Sequence, residues 1–229
     1  MITIIHGEDT AKSRNYLFEL KGKASDALFF EGSKVQIADF AQILEGGGLF
    51  SEEKNVFIDD FFSKRKGKDF EDIISYITTH EKEANVYFWE SKDLTTKQLS
   101  YFKKAQVYQF KLPQALFTFL DSLKPHSTTS ISLFHTVLEV SEPELVFFML
   151  VRHFRLLLAL SEKSSDEPID EIKRMKPWQM GKLQKQATLF SEEKLKKIYA
   201  QLLDIDISLK TGTTSLSTTQ AIDFLLADL

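Results

Sequence analysis

The sequence predicts an α/β domain over residues 1–112 followed by an all-α domain over residues 113–229. In the first half, five short apolar segments alternate with stretches whose apolar residues recur at helical spacing. That alternation is typical of a parallel sheet covered on both faces by crossover helices. After Lys111-Leu112-Pro113 the strand signals end and only helical patterns remain.

The predicted strands of the first half are short and apolar, and they lie at 1–5, 26–30, 55–59, 84–89 and 106–110. A helix is expected between the first two strands, over about 12–23. Two later segments place apolar residues at i, i+3, i+4 and i+7, which indicates amphipathic helices. These residues are Ile37, Phe40, Ala41 and Leu44, and then Phe70, Ile73, Ile74 and Ile77.

In the second half, the segment 145–160 is apolar on nearly all sides, which is typical of the central helix of a bundle. Ser141-x-x-Glu144 before it predicts a capping box, with the serine side chain closing the first turn. Further helices are expected at about 177–190, 191–210 and 221–229. Asp206 and Lys210, four residues apart on the second of these, are expected to form an ion pair.

Composition narrows the functional classes. A net charge of −4 offers no general attraction to nucleic acid, and the absence of cysteine excludes disulfides and thiolate chemistry. The start of the chain lacks the features of a signal peptide, and the apolar run 145–160 is shorter than the ~20 residues of a membrane span. We therefore expect a cytoplasmic protein without membrane contact. The five histidines are scattered along the sequence, so no metal site is expected. No cofactor and no catalytic residues are expected either.

A phosphate-binding loop is the motif to look for after the first strand. Aligning Lys12-Ser13 with the end of such a loop places Ala11 and His6 where glycines are needed, and Glu8-Asp9 where the phosphates lie. The strand 56–60 ends in two aspartates and is similar to the strand that positions magnesium in ATPases, but strands often end in aspartate where the chain turns. The sequence disfavours nucleotide binding. A nucleotide-dependent ATPase with a divergent loop stays open as an alternative.

The segment 46–60 contains the first candidate contact site. Three glycines end the preceding helical pattern, and Leu49 and Phe50 follow them among charged neighbours. Glycines beside two large apolar side chains are a poor way to build a core. They are a plausible way to present an anchor to another protein.

Three groups of basic residues offer further candidates. The run from Lys64 to Lys68 favours a solvated loop, although it could also bind phosphates. Arg152 and Arg155 share a helix face. They form a solvated stripe, an intramolecular ion pair or a contact with another subunit. The segment 173–185 contains five basic residues and no acidic residue, so it is a candidate DNA-binding segment. The basic residues are Lys173, Arg174, Lys176, Lys182 and Lys185.

In order and spacing, these segments resemble the delta subunit of the bacterial DNA polymerase III clamp loader. The likeness is carried by Ile4-Ile5-His6-Gly7-Glu8-Asp9, by the Leu-Phe element and strand at 48–58, by the helix at 142–157, and by Pro177-Trp178 through Lys210-Thr211-Gly212. Only residues 113–141 lie between the last strand and the long apolar helix, so the chain looks like a shortened delta subunit that lacks a clear lid domain.

The resemblance implies a degenerate AAA+-like parallel α/β domain without a functional phosphate loop, followed by a helical collar-like oligomerisation domain. It implies an accessory protein of DNA replication without catalysis. Leu49 and Phe50 would bind the sliding clamp and help to open it, and the helical domain would bind the other clamp-loader subunits. Primer-template DNA is a further candidate partner.

Overall fold

The computed structural model describes residues 1–45, 54–161 and 169–229. The chain divides into two compact units, Met1–Leu112 and Pro113–Leu229. The first contains a five-stranded parallel sheet with helices, and the second is helical. This arrangement confirms the predicted fold class, α/β followed by all-α.

The strands of the first unit form one parallel sheet in the order β2-β3-β4-β1-β5, so β1 lies between β4 and β5. The bounds differ from the predicted ones by about one residue. The strands are β1 Ile2–His6, β2 Ala27–Glu31, β3 Asn55–Asp59, β4 Asn85–Glu90 and β5 Gln106–Gln109. The helices are α1 Thr10–Lys23, α2 Ile37–Glu45, α3 Phe61–Lys64, α4 Lys68–Thr79 and α5 Thr96–Leu99.

The two faces of the sheet are covered unequally. One face carries the larger core, in which Ile4, Ile58 and Phe88 are buried together with residues of α2, α3 and α4. On the other face, Phe57 and Leu17 belong to a smaller cluster that α1 covers. Because successive strand residues point to opposite faces, near-continuous apolar strands are what a sheet buried on both sides requires.

The second unit is organised around one long helix. The segment predicted to be central is α8, and it packs against α10, α11 and α12 as well as the two short helices before it. The helices are α6 Gln114–Ser122, α7 Ser130–Leu138, α8 Pro143–Ser161, α9 Asp170–Lys173, α10 Pro177–Ala187, α11 Glu192–Thr211 and α12 Thr218–Ala227. The predicted ion pair between Lys210 and Asp206 is present at 2.7 Å.

The predicted capping box before α8 is wrong. The helix begins at Pro143, one residue later than that pattern requires, so Ser141 lies outside the N-cap position. Its hydroxyl oxygen is buried without a hydrogen-bond partner among the described residues. Leu145 and Val146 instead donate their backbone N–H groups to the carbonyl oxygen of Glu142.

A buried glutamine connects three helices of this unit. The amide nitrogen of Gln186 on α10 donates to the carbonyl oxygens of Leu120 at 2.8 Å and Leu123 at 2.9 Å, at the end of α6. Its amide oxygen lies 3.0 Å from Nε2 of His153 on α8. Burial lowers the pKa of His153 to about 4, so the imidazole is neutral at physiological pH and donates this bond.

Gln186→Ala should lower the free energy of unfolding by about 2–4 kcal/mol, because two buried carbonyl groups and one imidazole lose their partner together. Urea unfolding followed by circular dichroism measures the change. Gln184→Ala, at an exposed position of the same helix, is the matched control and should change stability by less than about 0.5 kcal/mol. Equal stability of the two variants would contradict this role for Gln186.

Candidate functional site

The predicted clamp-binding pair, Leu49 and Phe50, lies outside the described residues. The elements on either side of it are described. The helix α2 ends at Glu45, and β3 begins at Asn55. The side chain of Asn55 is buried, donates to the carbonyl oxygen of Ser25 at 2.9 Å and accepts from the amide of Asn85 at 3.2 Å. The strand that follows the pair is therefore fixed within the sheet from its first residue.

The turn between β1 and α1 is closed by the end of β5. Phe110 donates its N–H to the carbonyl oxygen of His6 at 2.8 Å and accepts the N–H of Asp9 at 3.0 Å. Gly7 has φ +138°, and a Cβ at this position would lie 2.1 Å from the carbonyl oxygen of Phe110. Only glycine fits this contact, so Gly7, in the candidate phosphate-binding loop, allows the backbone of Phe110 to pack closely against the turn.

The first turn of α1 is capped by the chain itself. The buried carboxylate of Asp9 accepts the N–H of Lys12 at 3.0 Å through Oδ1, and its Oδ2 lies 3.9 Å from the Lys12 ammonium. In phosphate-binding loops the backbone N–H groups at this helix end are directed at the phosphate. Here a carboxylate takes that place, and an incoming phosphate would meet its negative charge.

The two aspartates that end β3 also have partners within the sheet edge. The carboxylate of Asp59 accepts from the guanidinium of Arg14 at 2.7 Å, and that guanidinium stacks 3.4 Å from the ring centroid of Trp89. Asp60, at φ +55°, accepts from the backbone N–H and the hydroxyl group of Ser91 at 3.3 and 3.1 Å. These contacts favour the structural interpretation of the two acids over metal binding.

One acid at this edge was not predicted from the sequence. Glu90 ends β4 beside His6 of β1 and is fully buried, so burial raises the pKa of its carboxyl group to about 7. Its Oε1 accepts the N–H of Phe62 at 2.6 Å, and its Oε2 has no hydrogen-bond partner among the described residues. The sequence signal that could have identified Glu90 is an acidic residue directly after the apolar segment 84–89.

The predicted subunit-contact residues bind an acid of their own unit. Arg152 and Arg155 of α8 each donate to a different carboxylate oxygen of Glu171 on α9. Their side chains remain partly exposed. The structure thus contains the intramolecular pair that the sequence allowed, and a contact with another subunit stays a prediction.

The candidate DNA-binding residues are distributed over α9, α10 and the residues between them. Lys173 lies 3.7 Å from Asp170, and the ammonium of Lys182 donates to Asp121. Arg174 and Lys182 line a groove of about 870 Å³ beside Trp178, whose side chain is 66% exposed. Some of this positive charge is balanced within the chain, and DNA contact stays a prediction.

A second groove of about 660 Å³ in the helical unit is mainly apolar. It is lined by α8, α11 and the start of α12, and two of its side chains are largely exposed, Phe148 at 63% and Leu203 at 58%. Large apolar side chains exposed together are typical of surfaces that contact other proteins.

Within the described ranges no helix is both long and apolar enough to cross a membrane. The same residues contain no group of three or more histidine, aspartate or glutamate side chains placed to hold a metal ion.

A sequence profile described as the C-terminal domain of the DNA polymerase III delta subunit matches residues 114–229, slightly more than half of the chain. The chain belongs to the DNA polymerase III delta subunit family. The matched residues are nearly the whole helical unit, from α6 to the last residue. The delta-like identity inferred from the sequence is therefore confirmed.

Two solved structures are similar to this delta-family chain. The DNA clamp loader delta protein of Bacillus subtilis is 16% identical, with a TM-score of 0.48, over 99% of this chain and 94% of that one. A DNA polymerase III gamma subunit-related protein of Thermotoga maritima is 15% identical, with a TM-score of 0.35, over 99% of this chain and 93% of that one. No curated protein sequence matches the chain.

Glu90→Gln should stabilise this delta-family protein at pH 8 more than at pH 5. A folded pKa of about 7 against an ordinary value of 4.5 means that the carboxyl group contributes stability below pH 4.5 and loses it as the pH rises to 7. Glutamine imitates the protonated carboxyl group, so its advantage should grow by up to about 3 kcal/mol.

Urea unfolding of both proteins between pH 5 and 8 measures this difference. Glu83→Gln, at an exposed site in the turn before β4, is the control and should show no such pH-dependent gain. A constant difference between Glu90→Gln and the parent protein across this range would show that Glu90 is ionised throughout.

Proposed function

We propose that this protein is a non-catalytic, delta-like subunit of the DNA polymerase III clamp loader that binds the sliding clamp and helps to open it during replication. The observation that carries the proposal is the family match over the helical unit. Two further features support it: the self-capped turn before α1, and the glycine-flanked apolar pair at 49–50.

The edge of the sheet where a nucleotide would bind supports the proposed absence of catalysis. In open α/β sheets, ligands bind at the carboxyl ends of the strands. Here the end of β5 closes over the turn, Asp9 occupies the first turn of α1, and Arg14 neutralises Asp59. The first turn of α1 and the carboxylate of Asp59, which ATP or magnesium would use, therefore already have partners within the protein.

The proposed contact with the clamp uses Leu49 and Phe50. A large apolar pair that enters a pocket can contribute most of the free energy of a small interface. Buried anchors hold the preceding helix, through Phe40, and the following strand, through Asn55. The pair is therefore joined on both sides to elements packed into the core of the α/β unit.

The proposed contact with other loader subunits uses the helical unit. Its apolar groove exposes Phe148 and Leu203, and the half-exposed Arg152 and Arg155 lie on the same central helix, α8. Charged side chains of Glu144, Asp206 and Lys210 also line this groove. A mainly apolar surface with charged groups at its rim is typical of protein–protein interfaces.

Leu49→Ala together with Phe50→Ala should reduce affinity for the organism's own sliding clamp at least ~100-fold, because two anchor side chains are lost. Isothermal titration calorimetry measures the affinity, and circular dichroism should be unchanged. Phe148→Ala, which removes an exposed aromatic of the helical unit, is the control and should leave clamp affinity intact. Clamp binding that survives the double substitution would show that the site is elsewhere.

A fluorescent ATP analogue with magnesium should show no saturable binding to the protein. The physical reason is that Asp9 already satisfies the helix terminus and repels the phosphates. Fluorescence anisotropy up to millimolar nucleotide is the measurement. Saturable binding that disappears in Lys12→Ala would favour the alternative, a nucleotide-dependent enzyme with a divergent loop.

A further inference from the structure

The edge strand β2 exposes large apolar side chains on both of its faces. Phe29 stacks on Phe57, on the face that α1 covers, and is nevertheless 57% exposed. Leu28 points to the opposite face and is 43% exposed. Among the described strands β2 pairs only with β3, so its outer edge is open. An open edge with apolar side chains is a template for pairing with another strand.

The backbone of β2 directs every second residue toward this outer edge. Gly32, directly after the strand, donates its N–H to the carbonyl oxygen of Asp59 on β3 at 2.7 Å. The backbone groups of alternate residues point to the same side of a strand. Those of Phe29 and Ala27, at odd distances from Gly32, therefore point away from β3 and toward any strand that joins the edge.

The features that protect an exposed sheet edge are missing from this strand. Natural edge strands carry lysine, proline or a bulge. The residues 27–30 contain no charged residue and no proline, and the pairing with β3 runs through the strand without a bulge. The edge strand on the other side of the sheet, β5, begins and ends with glutamine and is flanked by Lys104 and Lys111. Of these two edges, β2 is therefore the one suited to association.

The ring of Phe29 is held in place before any partner binds. Its centroid lies 5.4 Å from that of Phe57, and the ammonium of Lys21 on α1 lies 4.3 Å from it. Phe18, also on α1, extends the exposed apolar surface next to the strand, and the same ammonium lies 5.6 Å from its ring centroid. A side chain that is already ordered loses little conformational entropy when it enters an interface.

The strand is complementary to itself when two copies lie antiparallel about Phe29. Two-fold symmetry then places Phe29 opposite Phe29 of the second copy, and the outward backbone groups of the two residues exchange two hydrogen bonds. On the other face, Leu28 lies opposite Phe30 of the second copy. The single acid of the strand, Glu31, lies opposite Ala27, so no like charges are directly opposed.

We propose that this protein forms a two-fold symmetric dimer in solution, in which the β2 strands of two copies pair antiparallel about Phe29 and join the two sheets into one. A second copy fits this edge because a single register satisfies the backbone groups, the apolar side chains and the charges of both strands. The strand has five residues, so the interface is small, and the expected dissociation constant is ~1–100 µM. The inference is independent of the proposed function.

Sedimentation velocity of the full-length chain from ~5 to ~500 µM should show a concentration-dependent equilibrium between monomer and dimer. Phe29→Lys places two like charges opposite each other and should weaken the dimer ~30-fold or more. Leu28→Lys, on the other face of the same strand, should weaken it ~10-fold or more. The matched control is Phe224→Lys on α12, at a position that is 65% exposed, and it should dimerise like the parent protein. Circular dichroism verifies that each variant is folded.

A mixing experiment tests the register itself. Phe29→Lys and Phe29→Glu should each be monomeric alone and should form a heterodimer when mixed, because the two-fold axis brings the two new charges together. No heterodimer in the mixture would overturn the register.

Three other results would overturn the proposal. The first is a parent protein that stays monomeric up to ~500 µM. The second is a dimer that persists in Phe29→Lys and Leu28→Lys or dissociates in Phe224→Lys, since its interface would lie elsewhere. The third is a series of species larger than a dimer, which would show head-to-tail pairing between different edges in place of two-fold symmetry.

Discussion

The closure of β5 over the turn between β1 and α1 is the constraint on which the rest of the α/β unit depends. Phe110 contacts the turn with both its N–H and its carbonyl group, so the parallel pairing of β1 and β5 continues past the last strand residue. That contact leaves no room for a side chain at Gly7 and brings Asp9 onto the first turn of α1. The polar groups of this turn therefore form hydrogen bonds within the α/β unit and stabilise its fold.

Arg14, another charged group at this edge of the sheet, also has its partners within the α/β unit. Arg14 lies between an acid and an aromatic ring, so its charge is neutralised and its planar face is packed at once. Glu90 differs from Arg14, since its Oε2 is buried without a hydrogen-bond partner among the residues that the structure describes. A carboxyl group in that position avoids the cost of a buried charge by holding its proton, which is why its pKa rises.

Much of the fold could be predicted from the sequence because it depends on local patterns. The helical spacing of Ile37 and Phe40 locates α2, and the apolar residues before Asp59 locate β3, whose bounds were predicted without error. Strand order could not be predicted in this way, since nothing in the five apolar segments says that β1 lies between β4 and β5. The start of α8 was misplaced because the Ser141 pattern competes with a proline that favours the first helical turn.

The sites were harder to predict because the partners of charged groups are distant in the sequence. Arg65 and Lys66 look alike in a basic run, yet Arg65 binds carbonyl oxygens 30 to 33 residues away, and Lys66 is exposed. Gln186 likewise binds a carbonyl group 66 residues away. The periodicity of apolar residues indicates which face of a helix or strand is buried, but it does not indicate which distant residues form hydrogen bonds with each other. A basic residue in the sequence is therefore a candidate for binding external phosphate only until its internal acceptors are known, and the guanidinium of Arg65 already donates to three backbone carbonyl oxygens.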